Sequence, residues 1–408
     1  MHKFELDVIG QFYSSTLGPK QPSSFTVTAH LKEPLDPAVL QQAVNDLVRR
    51  VPFFSGRLVP GFMSYQLEIL PQPPQIERAS EPHRFTDYYN RGGALGHSQG
   101  LGHMLRVLYG DQHFTAEVTH ALCDGRTLSK IAAALLLRYF ELLGVETDKG
   151  DLIDCDGALS PDEMENAYAR FTATQKMVKK SSPDTKAYRH LHSKDPVEQQ
   201  LTRTYDAGKI KIAAKSYGAT ITEYILMHIF REVAKVRNAV GGKGAVTAMV
   251  PIDCRGFFPS ETLRNFVSAA TVVMPETNDF AEMARGMRPQ FAAIDRDFVH
   301  RETAQYQKLY HRARFVPRAA KKLAMKTIEH FMDDEHTTGI SNVGLIKLPP
   351  AIEQRVESME FAISLSQGEA YFFSCASVGN ALSLTGMFRE EWRGLVEAVL
   401  ESLASAQA

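Results

Sequence analysis

Cysteine is scarce. The chain holds four in 408 residues (Cys123, Cys155, Cys254 and Cys375), and their spacing fits neither a zinc site nor a dense disulfide framework. Reduced thiols are the expectation, as in an intracellular compartment. No run approaches the ~18 consecutive apolar residues that a membrane-spanning helix needs. The opening MHKFELDVIG lacks the apolar stretch of a secretion signal. Neither sign of charge dominates: the net charge is −1 with acids and bases interspersed, so no global surface for nucleic acid or an acidic substrate is expected. Low-complexity segments and short-period repeats are also lacking. Together these absences predict a soluble cytoplasmic protein without a resident metal.

Apolar residues are plentiful, at 44%, which is enough for a full core. A length of 408 residues suits two domains of about 150–200 residues each. Residues 179–196 (KKSSPDTKAYRHLHSKDP) are polar with few apolar anchors, so a linker is expected there, between lobes 1–178 and 197–408. Period-two alternation predicts strands at 24–30, 53–58, 64–70, 104–109 and 113–120, and a short strand region at 4–14. Helices are expected at 36–51, where Asp36 and Pro37 form a start signal, and at 162–178. In the second half, Thr220-Ile221-Thr222-Glu223 has the form of a capping box before a helix at 221–236. Strands are expected at 245–250, 265–274, 361–365, 370–377 and 381–388, and a final helix from 390. Residues 303–330 read as helical with a break at Pro317, and residues 339–344 (GISNVG) as a glycine-flanked polar turn.

The stretch HFTAEVTHALCDG at 113–125 organises the rest. Phe114, Ala116 and Val118 alternate with polar residues, and His120 falls in phase with them, so its imidazole should face inward. Asp124-Gly125 breaks the strand, and from Arg126 the apolar spacing becomes helical. His-x-x-x-Asp also occurs at His83–Asp87 and His330–Asp334, but only His120–Asp124 has the following glycine and the strand-turn-helix setting. The plain alternative for an inward histidine is a satisfied core residue.

A competing motif must be weighed. Gly96-His97-Ser98-Gln99-Gly100 matches the G-x-S-x-G nucleophile elbow of serine hydrolases. That elbow needs a buried strand before the serine and a helix after it. Here a glycine-rich loop precedes Ser98 and a hairpin follows it.

Four features in order resemble the chloramphenicol-acetyltransferase-like superfamily of CoA-dependent acyltransferases. This superfamily includes alcohol acetyltransferases, polyketide-associated acyltransferases, plant acyltransferases and nonribosomal-peptide condensation domains. His120-Ala121-Leu122-Cys123-Asp124-Gly125 resembles its H-x-x-x-D-G motif, and 102–107 (GHMLRV) the strand entering that hairpin. Pro251-Ile252-Asp253-Cys254-Arg255, with Asn265-Phe266 after it, resembles the P-x-x-x-R segment of the second lobe. Ser341-Asn342-Val343-Gly344 resembles the late S-N-x-G turn. The chain departs from the condensation domains at Thr119, where they carry a second histidine, and it lacks the D-F-G-W-G segment of the plant enzymes.

The resemblance implies an α/β fold of two α+β two-layer sandwiches, with the active site in a channel between the lobes. It implies acyl transfer from acyl-CoA to a hydroxyl, or an amine, of a small-molecule acceptor, with acyl-CoA as co-substrate and no bound cofactor. His120 would be the general base, suited by an imidazole pKa near neutrality. Asp124 would pair with Arg255 and, with Gly125, hold the active-site loop. Ser341 or Asn342 would supply an oxyanion donor or position the substrate, the alternative being a structural turn. Cys123 is read as a small buried filler. Arg318 and Lys322, in a basic helical stretch, would contact the CoA phosphates or else form a solvated face. A monomer is expected. The rival readings are a condensation enzyme using an acyl carrier protein, a non-catalytic relative, and a hydrolase using Ser98.

Overall fold

A computed structural model describes residues 3–17, 22–79, 102–172, 186–189, 197–318, 320–321, 336–366 and 368–405. Ser98, Lys322, the two outlying His-x-x-x-Asp pairs and most of the 179–196 stretch lie outside the described residues.

The strands are β1 (Lys3–Glu5), β2 (Ser24–Leu31), β3 (Gly56–Pro60), β4 (Tyr65–Ile69), β5 (Glu77–Arg78), β6 (Leu105–Tyr109) and β7 (His113–Thr119), then β8 (Glu198–Asp206), β9 (Thr247–Asp253), β10 (Val267–Val273), β11 (Thr338–Leu345), β12 (Val356–Ile363), β13 (Tyr371–Val378) and β14 (Ala381–Arg389). The helices are α1 (Val8–Thr16), α2 (Pro37–Arg50), α3 (Gly125–Leu142), α4 (Ala167–Thr172), α5 (Ala207–Ser216), α6 (Ile221–Ala239), α7 (Phe280–Ala292), α8 (Arg296–Ala313), α9 (Pro350–Glu353) and α10 (Arg393–Ser405).

Two lobes result, each with a main sheet covered by helices: the α/β, two-layer architecture that the resemblance implied. The first lobe has a five-stranded sheet in the order β12-β2-β7-β6-β5 and a three-stranded sheet β1-β4-β3. Helix α2 starts where expected, because Asp36 accepts from the N–H groups of Ala38 (2.8 Å) and Val39 (3.3 Å) ahead of Pro37. Its buried Leu40, Ala43 and Leu47 share a core with Leu128, Ile131 and Leu135 of α3. Each of these leucine and isoleucine side chains stabilises the fold by roughly 1.5–3 kcal/mol through burial.

The second lobe is built on a six-stranded sheet, β10-β9-β11-β13-β14-β8, in which β11 runs parallel to both neighbours. The Thr220–Glu223 capping box is present, with Thr220 Oγ1 accepting from the Glu223 N–H (3.2 Å) and Glu223 Oε2 from the Thr220 N–H (2.6 Å). Ile225, Ile229 and Val233 of α6 then pack with Val396 and Val399 of α10.

The lobes share one strand. β12 comes from the second half of the chain yet pairs with β2, setting Phe361 opposite Val27 and Ile363 opposite Phe25. Within the 179–196 stretch, Ala187 and Tyr188 are buried, and Ala187 bridges to Ala245.

Several expectations are corrected. The 4–14 segment is strand only at β1 and is otherwise helix α1, because Asp7 caps it by accepting from the Gly10 N–H at 2.7 Å. Within the expected 162–178 helix, residues 173–178 lie outside the described residues, and residues 162–172 give one 3-10 turn at Asp162–Met164 and then α4. Between them Glu165 is extended, held by Thr262 Oγ1 on its carbonyl (2.8 Å) and Ser260 Oγ on its carboxylate (2.6 Å). Residues 339–344 are no turn: they lie inside β11, between β9 and β13, and the break in register between Asn342 and Leu345 is where Gly344 takes φ +77°. Strand β8 was not anticipated.

Candidate active site

His120 directly follows β7, where its N–H donates to the Ser23 carbonyl at 2.7 Å. Ser23 has φ +47°, in the left-handed region that a non-glycine residue rarely adopts. Tyr13 of α1 stacks on the imidazole, with centroids 4.1 Å apart and planes at 11°. Phe25 of β2 meets it edge-on at 5.0 Å. The ring plane is therefore set by aromatic contacts on two sides.

The ring's rotation and tautomer are set by Asn265. His120 Nδ1 lies 3.0 Å from Asn265 Oδ1. Asn265 Nδ2 faces acceptors alone: Asp7 Oδ1 (3.2 Å), Asp7 Oδ2 (3.3 Å) and the His120 carbonyl (3.1 Å). An amide nitrogen donates and an amide oxygen accepts, so the orientation is forced. Nδ1 must carry the proton, and the lone pair of the neutral ring sits on Nε2. Burial pulls the imidazole below its usual 6.5, while the Asp124 charge and the Asn265 hydrogen bond act the other way. The His120 imidazole is thus neutral at pH 7.

Asp124 serves this arrangement without touching the ring nitrogens. Its Oδ1 caps α3 through the Thr127 N–H (2.9 Å), and its Oδ2 accepts from the Phe266 N–H (2.8 Å) and from Arg255 Nη1 (3.0 Å). Burial pushes the carboxyl up, but the Arg255 charge and these N–H donors outweigh it and hold it below the usual range. Arg255 also binds Asp253 Oδ1 (2.9 Å) and the carbonyls of Thr262 (2.9 Å) and Arg264 (2.7 Å). The ion pair therefore ties the start of α3 to the loop that delivers Asn265. Gly125 sits where a Cβ would come within 2.6 Å of the Phe361 ring, so the close approach of α3 to β12 needs a glycine. The Cys123 thiol is fully buried and pushed well above its usual range by that burial, which keeps it protonated.

These groups open onto a cavity of about 660 Å³ between the lobes, with a lining mostly of apolar side chains such as Phe12, Met249, Tyr306 and Leu309. Ser341 and Asn342 line it from β11. The Asn342 amide is engaged with Thr222 Oγ1 (3.0 Å) and the Gly344 N–H (2.8 Å), whereas Ser341 Oγ has no hydrogen-bond partner among the described residues. Arg318 also lines the cavity, bound to Tyr65 Oη (2.9 Å) and the Gly61 carbonyl (3.2 Å). Lys321 beside it donates to the Met63 carbonyl (2.8 Å). No cluster of histidine, cysteine and carboxylate groups able to hold a metal occurs among the described residues.

The sequence marks Asn265 only as part of the Asn265-Phe266 resemblance, with no role attached, and it marks Asp7, Tyr13 and Phe25 not at all as site residues. Asp7 and Tyr13 were hidden because their segment was read as strand. The D-x-x-G spacing of Asp7 and Gly10 was the available signal for a helix start.

No family model matches the chain, and no curated protein does. Solved structures do. Polyketide synthase associated protein 5 from Mycobacterium tuberculosis aligns over 100% of this chain and 97% of its own, at 14% identity and a TM-score of 0.64. The trichothecene 15-O-acetyltransferase from Fusarium sporotrichioides aligns over 100% and 95%, at 10% identity and a TM-score of 0.62. The wax ester synthase/diacylglycerol acyltransferase from Marinobacter aquaeolei VT8 aligns over 98% of both, at 12% identity and a TM-score of 0.57. The chain has the two-lobed fold of the chloramphenicol-acetyltransferase-like acyltransferases.

Proposed function

We propose that the chain is an acyltransferase that moves an acyl group from acyl-CoA to a hydroxyl of a small-molecule acceptor, with His120 as general base. The observation that carries this reading is the His120–Asn265 hydrogen bond at 3.0 Å, which leaves Nε2 as the basic atom at an apolar cavity. The shared fold with two named acyltransferases supports it.

The acceptor hydroxyl donates its proton to Nε2 as its oxygen attacks the thioester carbonyl carbon. The imidazolium that forms keeps its Nδ1–H on Asn265. A positioned base of this kind contributes ~10²–10⁴-fold in rate. The tetrahedral intermediate carries its negative charge on the former carbonyl oxygen, and the free hydroxyl of Ser341 is the donor assigned to it. Collapse breaks the carbon–sulfur bond, and the departing CoA thiolate takes the proton from Nε2. The thioester is already activated, so no acyl-enzyme is needed, in keeping with the protonated Cys123. Arg318, with the neighbouring Lys321, is assigned to the CoA phosphates. Free CoA release from a panel of acyl-CoAs and alcohols, with His120→Ala as the control, tests the reading.

A further inference from the structure

Arg126 has no role in the reaction as described, yet it lines the same cavity as His120. A guanidinium carries five N–H donors. Only Nη1 of Arg126 has a partner among the described residues, the Val343 carbonyl at 3.0 Å. No carboxylate there lies within ion-pair distance of it. The acids that line the cavity are otherwise engaged: Asp124 and Asp253 both bind Arg255, and Glu369 accepts from the Ser366 N–H at 2.6 Å. A cation facing a largely apolar space without a counter-ion is the arrangement that an anionic ligand completes.

The position of Arg126 narrows the ligand. It is the second residue of the 18-residue α3, whose N-terminal end favours negative charge now that Asp124 is neutralised by Arg255. A Cβ on the neighbouring Gly125 would touch the Phe361 ring at 2.6 Å and Val343 at 3.4 Å. Phe361 lies 6.1 Å from Phe25, and Phe25 lies 5.0 Å from His120. The backbone beside Arg126 is therefore linked to the base through Phe361 and Phe25, and Arg126 and His120 line one cavity. The diphosphate of a CoA thioester reacting at His120 lies the whole pantetheine arm away, so the anion belongs to the reacting part of a substrate. We propose that Arg126 is a carboxylate subsite: one substrate, either the acceptor or the acyl group, carries a carboxylate that this guanidinium binds while the reacting atom lies at His120. The location of the reacting atom rests on the acyl-transfer reading, whereas the binding itself does not.

Calorimetric titration of the full chain tests this with two matched pairs: decanoate against decanamide, and succinyl-CoA against butyryl-CoA. Arg126→Gln should weaken the carboxylate of at least one pair by about tenfold or more, as expected for a lost charge-assisted hydrogen bond, and leave its neutral partner unchanged. Arg126→Lys should retain part of that binding, and thermal melts should show both variants folded. Loss confined to decanoate assigns the carboxylate to the acceptor, and loss confined to succinyl-CoA assigns it to the acyl group. Equal loss for charged and neutral partners, loss of free CoA binding to the same extent, or no carboxylate preference in the wild type overturns the subsite. Because the readout is binding, this result and the CoA-release result fail independently.

Discussion

Asn265 turns its carbonyl oxygen to Nδ1 of His120 at 3.0 Å, and the acceptors around its Nδ2, supplied by Asp7 and the His120 backbone, forbid the reverse orientation. A residue from the second lobe thus decides which nitrogen of a first-lobe histidine is basic. Asn265→Ala removes that selection while leaving the cavity open. The turnover number is expected to fall about 10²-fold, the lower end of a positioned base's contribution, with a nearly unchanged Michaelis constant. Steady-state kinetics checks this; a changed Michaelis constant with unchanged turnover would assign Asn265 to substrate binding instead.

The acid limb of the pH profile follows from burial of His120. Its pKa is displaced below 6.5, so the neutral form, the active one under the proposed mechanism, dominates through neutrality. The ratio kcat/KM should rise with pH through an inflection below 6.5 and then level off. In Asn265→Ala the hydrogen bond that favours the charged ring is gone, so the inflection should move further down. An inflection above 6.5 in the wild type contradicts the neutral-base assignment.

The Asp124–Arg255 pair is expected to govern stability. Both partners are buried and 3.0 Å apart, and removing one strands the other, which commonly costs ~3–5 kcal/mol. Asp124→Ala and Arg255→Ala should each lower the urea-unfolding free energy by about that amount. The sign with pH follows from the lowered Asp124 pKa. Its contribution is present above the ordinary carboxyl value of 3.8 and is lost as pH falls through the lower folded value. Asp124→Ala should therefore show the larger deficit at neutral pH and a smaller one in strong acid. Native stability in both variants would remove the pair from this account.

Local signals were legible where the chain decides structure locally. The change from period two to helical spacing at Asp124-Gly125 marked the end of β7 and the start of α3. Asp36 and the Thr220–Glu223 box marked two helix starts. What escaped was fixed by distant partners. Asp7 caps α1, but its carboxylate is itself held by Asn265, 258 residues away, and nothing near Asp7 in sequence announces that. Ser341-Asn342 reads as a turn from its glycines and polarity, yet parallel pairing with Ser374 and Cys375 of β13 draws it into β11. Strand β12 likewise gives no local sign that it completes the sheet of the other lobe.

Free CoA release, measured with a panel of acyl-CoAs and alcohols for the wild type and His120→Ala, tests the central claim most directly. The account predicts release with at least one donor–acceptor pair, reduced about 10²-fold or more in the variant. Release that survives in His120→Ala, or none from the wild type across the panel, would contradict it.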